Sequence, residues 1–177
     1  MRTKPQDDDH VGFSGWRLLG LGFWQAWWMI SMCTDVLLPT TDRFPFAGNT
    51  TLWVLVLTTV GYLVVVALAR RLSPFLTHRA SFLAAGGLTA AGTVTLPIAL
   101  TLGSGAAGFA WFLAGTVSLS LGNALLLIMW GELWSALATG RVGRHLYVSY
   151  TFAFVLFFVA YALPEAAAVA FTAALPI

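Results

Sequence analysis

Five long apolar runs and a shorter sixth, separated by brief polar or Gly- and Pro-marked turns, make up nearly the whole chain. A helix rising 1.5 Å per residue needs about 20 such residues to cross a hydrocarbon core of about 30 Å. The predicted spans are Trp16 to Leu38, Leu52 to Ala69, Ala80 to Leu100, Ala107 to Ile128 and beyond, and Leu146 to Leu163. A sixth starts near Pro164 and reaches Ile177, only about 21 Å of helix. The expectation is that this last helix continues past Ile177. Short connections are expected at Pro39–Thr51, Arg70–Arg79, Thr101–Ala106 and Ala138–His145, with a turn at Leu163-Pro164-Glu165. The pattern predicts an all-α fold, a polytopic membrane helix bundle of six spans with the sixth truncated. A tail over residues 1–15 precedes one helical module over residues 16–177.

Composition narrows the class further. With 59% hydrophobic residues, 9% charged and a mean hydropathy of +0.83, the chain has more apolar surface than a water-soluble interior hides. A pI near 9.0 raises nucleic acid as a partner, but the nine basic residues are scattered between apolar runs and form no basic patch. Their distribution is better explained by topology. Arg2, Lys4 and Arg17 precede span one, Arg70, Arg71 and Arg79 follow span two, and Arg141 and Arg144 follow span four. Only Arg43 falls on the opposite side. Cytoplasmic loops collect Lys and Arg, so the amino terminus is expected in the cytoplasm of a cell whose inner membrane holds the bundle.

Span one begins after a short basic tail and carries Cys33 behind Ile30-Ser31-Met32, the outline of a lipoprotein signal. Met32 is bulky where cleavage needs a small residue, and further spans follow, so the run reads as a retained helix. The single Cys offers no disulfide framework.

Polar residues inside apolar spans carry the functional information, because an amide or charge in hydrocarbon is costly unless it faces protein or water. Gln25, Trp28, Met32 and Asp35 share one face of span one. That face either lines a polar cavity or has simpler uses: one interhelical bond for Gln25 and an outer-interface position for Asp35. Asn123 in span four is either a cross-link between helices or a ligand contact. Glu132, between Trp130 and Trp134, is either a salt-bridge partner for Arg141 or Arg144, or a protonation switch. Gly108, Gly115, Ser118 and Gly122 form a small-residue groove for close helix approach, and Gly86, Gly87, Ala90, Ala91 and Gly92 do the same for span three. Span five carries an aromatic stripe, Tyr147, Tyr150, Phe154, Phe157 and Tyr161, suited to lipid, to core packing or to an apolar or aromatic ligand.

Enzymatic patterns are missing from the sequence. His10, His78 and His145 are isolated, no Ser lies in a nucleophile elbow and no Gly-rich phosphate loop occurs, so no catalytic role, metal or cofactor is expected.

Basic turns after spans two and four, and Arg70-Arg71-Leu72-Ser73-Pro74-Phe75-Leu76-Thr77-His78-Arg79 between spans two and three, resemble the first half of a major facilitator superfamily transporter. Ala67, Leu68 and Ala69 stand where that family's loop carries a Gly and an Asp. The chain more closely resembles bacterial LuxR-type regulators with a facilitator-like membrane bundle ahead of a helix-turn-helix domain. The likeness lies in Leu21-Gly22-Phe23-Trp24-Gln25-Ala26-Trp27-Trp28, in Trp130-Gly131-Glu132-Leu133-Trp134-Ser135-Ala136-Leu137 and in the run from Tyr147 through Pro164 to Ala174-Leu175-Pro176-Ile177. This resemblance implies a membrane sensor half that contacts DNA only through a carboxy-terminal domain outside this chain, and that packs with further helices. The candidate ligand or switch residues are then Gln25, Trp28, Asp35, Asn123 and Glu132.

Overall fold

The computed structural model describes residues 15–34, 50–72, 75, 79–103, 105–136 and 139–177. Within them the chain is all helical: α1 (Gly15–Cys33), α2 (Thr50–Leu72), α3 (Arg79–Thr101), α4 (Ala106–Ala136), α5 (Thr139–Ala162) and α6 (Glu165–Ala174). Among the described residues four stretches are long and apolar enough to cross a membrane: Leu52–Ala69, Arg79–Thr101, Ala106–Ser135 and Val142–Ala162. The 19-residue α1 and the 10-residue α6 stand outside that set. The architecture is that of a helical membrane bundle.

Helical hydrogen bonding satisfies most of the backbone, and many side-chain hydroxyls are satisfied within the helix as well. Thr89, Thr93, Thr116 and Thr172 donate to the carbonyls of Ala85, Thr89, Phe112 and Ala168 at 2.7–2.8 Å, each four residues back. This local bond lets a Thr be buried in an apolar bundle without a partner on another helix. Pro97 lies inside α3 and has no N–H to give the carbonyl of Thr93. The end of α3 is set by Gly103, whose φ of 76° is open to a residue without Cβ, with Leu102 N–H still bonded to the Ile98 carbonyl. Between α5 and α6 the chain turns at Leu163. Pro164 is extended, and its carbonyl accepts from Ala168 while Glu165 sits in the positive first turn of α6.

Packing follows a regular plan. α1 lies against α5, α2 against α4, α3 against both α4 and α6, and α6 touches α1. Exchanging α1, α2 and α3 for α4, α5 and α6 turns the first pair into the second and the α3·α4 pair into α6·α1, the latter small because α6 is short. The α3·α4 contact is the tightest. A Cβ on Gly92 would lie 2.6 Å from the Leu119 nitrogen, and one on Gly122 2.6 Å from the Thr89 nitrogen. Ser118 donates across this seam to the Leu88 carbonyl at 2.8 Å. The small-residue groove expected in span four is therefore the face that receives α3. Of the glycines in span three, Gly92 and Gly86 are closely approached while Gly87 faces open space.

The bundle is apolar outside and carries its polar groups inside. α2 exposes Leu52, Val56, Leu63 and Val66, whereas Asn123, Thr89, Thr93, Thr116 and Ser149 are fully buried. The aromatic stripe of α5 follows the same rule: Tyr147, Tyr150, Phe154 and Tyr161 face outward, and Phe157 alone turns in against the core. Helix limits agree with the hydropathy expectation except at two places. The first helix closes at Cys33, and α5 starts at Thr139, so the expected turn at Ala138–His145 is mostly helix. Gly140, Arg141, Gly143 and Arg144 lower the hydropathy of this segment without preventing helical hydrogen bonding.

Candidate functional site

Polar contacts between helices concentrate on Asn123 of α4. The Trp24 indole of α1 donates to its Oδ1 at 2.9 Å, and its Nδ2 donates to the Tyr62 hydroxyl of α2 at 3.3 Å. One side-chain amide thus joins three helices, and because it is fully buried no water competes for either bond. A second indole, Trp27, donates to Thr93 Oγ1 of α3 at 2.9 Å. On the α2 side, Thr58 donates to Ser120 Oγ at 3.2 Å. These bonds cross chain separations of 61 to 99 residues.

Beside this cluster lies a cavity of about 760 Å³. Its walls come from α1 (Phe23, Trp24), α3 (Arg79, Phe82) and α4 (Met129, Trp130), and the end of α6 closes one side. Trp24 belongs to both features: its indole N–H holds Asn123 while its ring lines the cavity. The volume falls in the range of small-molecule sites, about 300–1,000 Å³. Among the described residues Arg79 is the only charged one on the wall; it is exposed, and none of their carboxylates is paired with it.

The residues singled out in the sequence separate into different environments. Asn123 is the hub of the interhelical bonds. Gln25 is buried on α1, and its Oε1 has no hydrogen-bond partner among the described residues. Trp28 is half-buried against the main apolar core, its ring centroid 6.2 Å from that of Trp27. Glu132 is partly buried near the end of α4, and its Oε1 accepts the Phe75 backbone N–H at 3.2 Å. The Phe75 side chain fills a small core with Val65, Ala85, Ala124 and Met129, so Glu132 clips the α2–α3 connection onto α4. Asp35 lies outside the described residues. Arg70 and Arg71 fall in the last turn of α2 and Arg141 in the first turn of α5, while Arg144 is exposed on α5.

Sequence reasoning did not find Trp24, Tyr62 and Thr93 as hydrogen-bond partners, nor Arg79 as part of a cavity wall. The usable signal was faint. A Tyr or Trp buried in a membrane helix needs a partner for its O–H or N–H, and Asn123 is the amide at comparable depth on another helix. Among the described residues no three His, Cys, Asp or Glu side chains converge on a metal site. No protein-family model, curated protein or solved structure matches the chain.

Proposed function

We propose that the chain is the membrane-embedded sensor module of a LuxR-type transcriptional regulator, in which a small apolar or aromatic molecule occupies the cavity and biases helix packing. The observation that carries this reading is the double role of Trp24. A ligand against its ring changes the position of an indole that holds Asn123, and through Asn123 the relation of α1 to α2 and α4. A ligand that fits one packing better than another shifts the equilibrium between them by its difference in affinity. The output is then a helix-turn-helix domain encoded after Ile177, in the cytoplasm. The basic residues on one side of the spans support that orientation and a place in the cytoplasmic membrane.

A facilitator transporter half is the second reading, and the exchange of helix pairs between α1–α3 and α4–α6 favours it. Inverted repeats of three helices are the building plan of such transporters, with the substrate held at the repeat interface. The two readings share one bundle, with α1 and α6 counted as the first and sixth spans, and differ in what the gene encodes downstream. Sequencing past Ile177 decides: a helix-turn-helix domain after the last span supports the sensor, and six further spans support the transporter. A stop codon directly after Ile177 overturns both.

A further inference from the structure

Arg79, Phe23, Phe82 and Trp130 define the chemistry of the cavity more narrowly than its size does. Four aromatic residues, Phe23, Trp24, Phe82 and Trp130, share an apolar wall with Leu126, Met129, Leu133 and the Ala174–Ile177 segment, and Arg79 adds a permanent positive charge to the lining. Arg79 is exposed and has no carboxylate partner among the described residues, so beside this apolar chamber it is matched by a ligand with an apolar body and an anionic end, a charge-assisted bond being stronger than a neutral one. A neutral aromatic molecule leaves Arg79 unanswered, and a cation is repelled by it. We propose, resting on the small-molecule reading above, that the cavity binds an aromatic carboxylic acid with its carboxylate on Arg79 and its ring between Trp24, Phe82 and Trp130. Anionic phospholipid shares this chemistry, with a phosphate in place of the carboxylate and an acyl chain in place of the ring.

The test uses the full chain in phosphatidylcholine nanodiscs and measures equilibrium dialysis of three probes with one ring system, subtracting uptake by empty discs. The probes are 2-naphthylacetate, 2-(2-naphthyl)ethanol and 2-(2-naphthyl)ethylamine. The acid is expected to bind saturably and about tenfold tighter than the alcohol, with the amine weakest. Arg79→Gln should bring the acid down to the level of the alcohol, and Arg79→Lys should restore part of the difference. Ala174→Phe, which narrows the cavity from an exposed position, should weaken the acid and the alcohol alike. Equal binding of acid and alcohol, or an acid affinity unchanged in Arg79→Gln, overturns the carboxylate assignment and leaves the small-molecule reading standing. Absence of saturable binding for all three probes overturns both. Loss of naphthylacetate binding when phosphatidylglycerol replaces part of the phosphatidylcholine overturns the free acid as occupant in favour of lipid.

Discussion

The α3·α4 seam and the junction of α1 with α2 and α4 solve the same problem by opposite means. At the seam, glycines bring two backbones into contact and the Thr hydroxyls bond within their own helix, so little is left that can rearrange. At the junction, Gly61 of α2 lies close to the Ser120 backbone of α4, and Asn123 ties α1, α2 and α4 together with two side-chain bonds, next to a cavity. Close-packed backbone has one good arrangement, whereas side-chain bonds beside a cavity have several of similar energy. The difference divides the bundle into a fixed half and an adjustable one.

Breaking the fixed half should have the largest effect. Gly122→Leu drives a side chain into the Thr89 backbone, where the Ala85 carbonyl is also 2.8 Å from the position of a new Cβ. A loss of at least about 3 kcal/mol is expected in reversible unfolding in mixed micelles, or no folded protein at all. Asn123→Ala should come next, at about 1–2 kcal/mol, because it leaves the Trp24 N–H and the Tyr62 hydroxyl without their partner. Trp24→Phe removes one of the two bonds and should cost about 1 kcal/mol by the same measurement. If Asn123→Ala and Trp24→Phe left the unfolding midpoint unchanged, the junction would not hold the bundle and the contrast would fail.

Two smaller effects sharpen the comparison. Glu132→Ala removes the acceptor of the Phe75 N–H and should cost at least about 1 kcal/mol by the same measurement, and Glu132→Gln, which keeps an oxygen there, should cost less. Gln25→Leu removes a buried amide whose oxygen has no partner among the described residues and should stabilise by about 0.5–1 kcal/mol. Destabilisation in that variant would mean that Gln25 is bonded in the membrane, which would strengthen its place among the candidate switch residues.

The helices were legible in the sequence because hydropathy and span length report directly on how much chain is buried in apolar surroundings. The start of α5 was not, since hydropathy measures burial and the helix there runs on through Gly140 to Arg144, where the residues are polar. The α3·α4 groove was readable from Gly115, Ser118 and Gly122, whose spacing is local. Trp24, Asn123 and Tyr62 are a different matter, because helix rotation and order decide which side chains meet over separations of 61 and 99 residues. Arg79 illustrates the same limit. Its charge read as a loop feature that orients the bundle, and only packing shows that α3 starts with this residue and turns it toward a cavity.

The length of α4 has a mechanical consequence. Its 31 residues make a rod of about 46 Å, well beyond the roughly 30 Å of a hydrocarbon core. Asn123 sits 13 residues before its end at Ala136, so about 20 Å of rigid lever extends past the junction. Pivoting α4 by about 5° at Asn123 would sweep that tip through about 2 Å, the size of the helix shifts found at allosteric interfaces. The same pivot moves Gly122, one residue from Asn123, by only about 0.1 Å, so the seam nearest the pivot is kept while the far end of the helix moves.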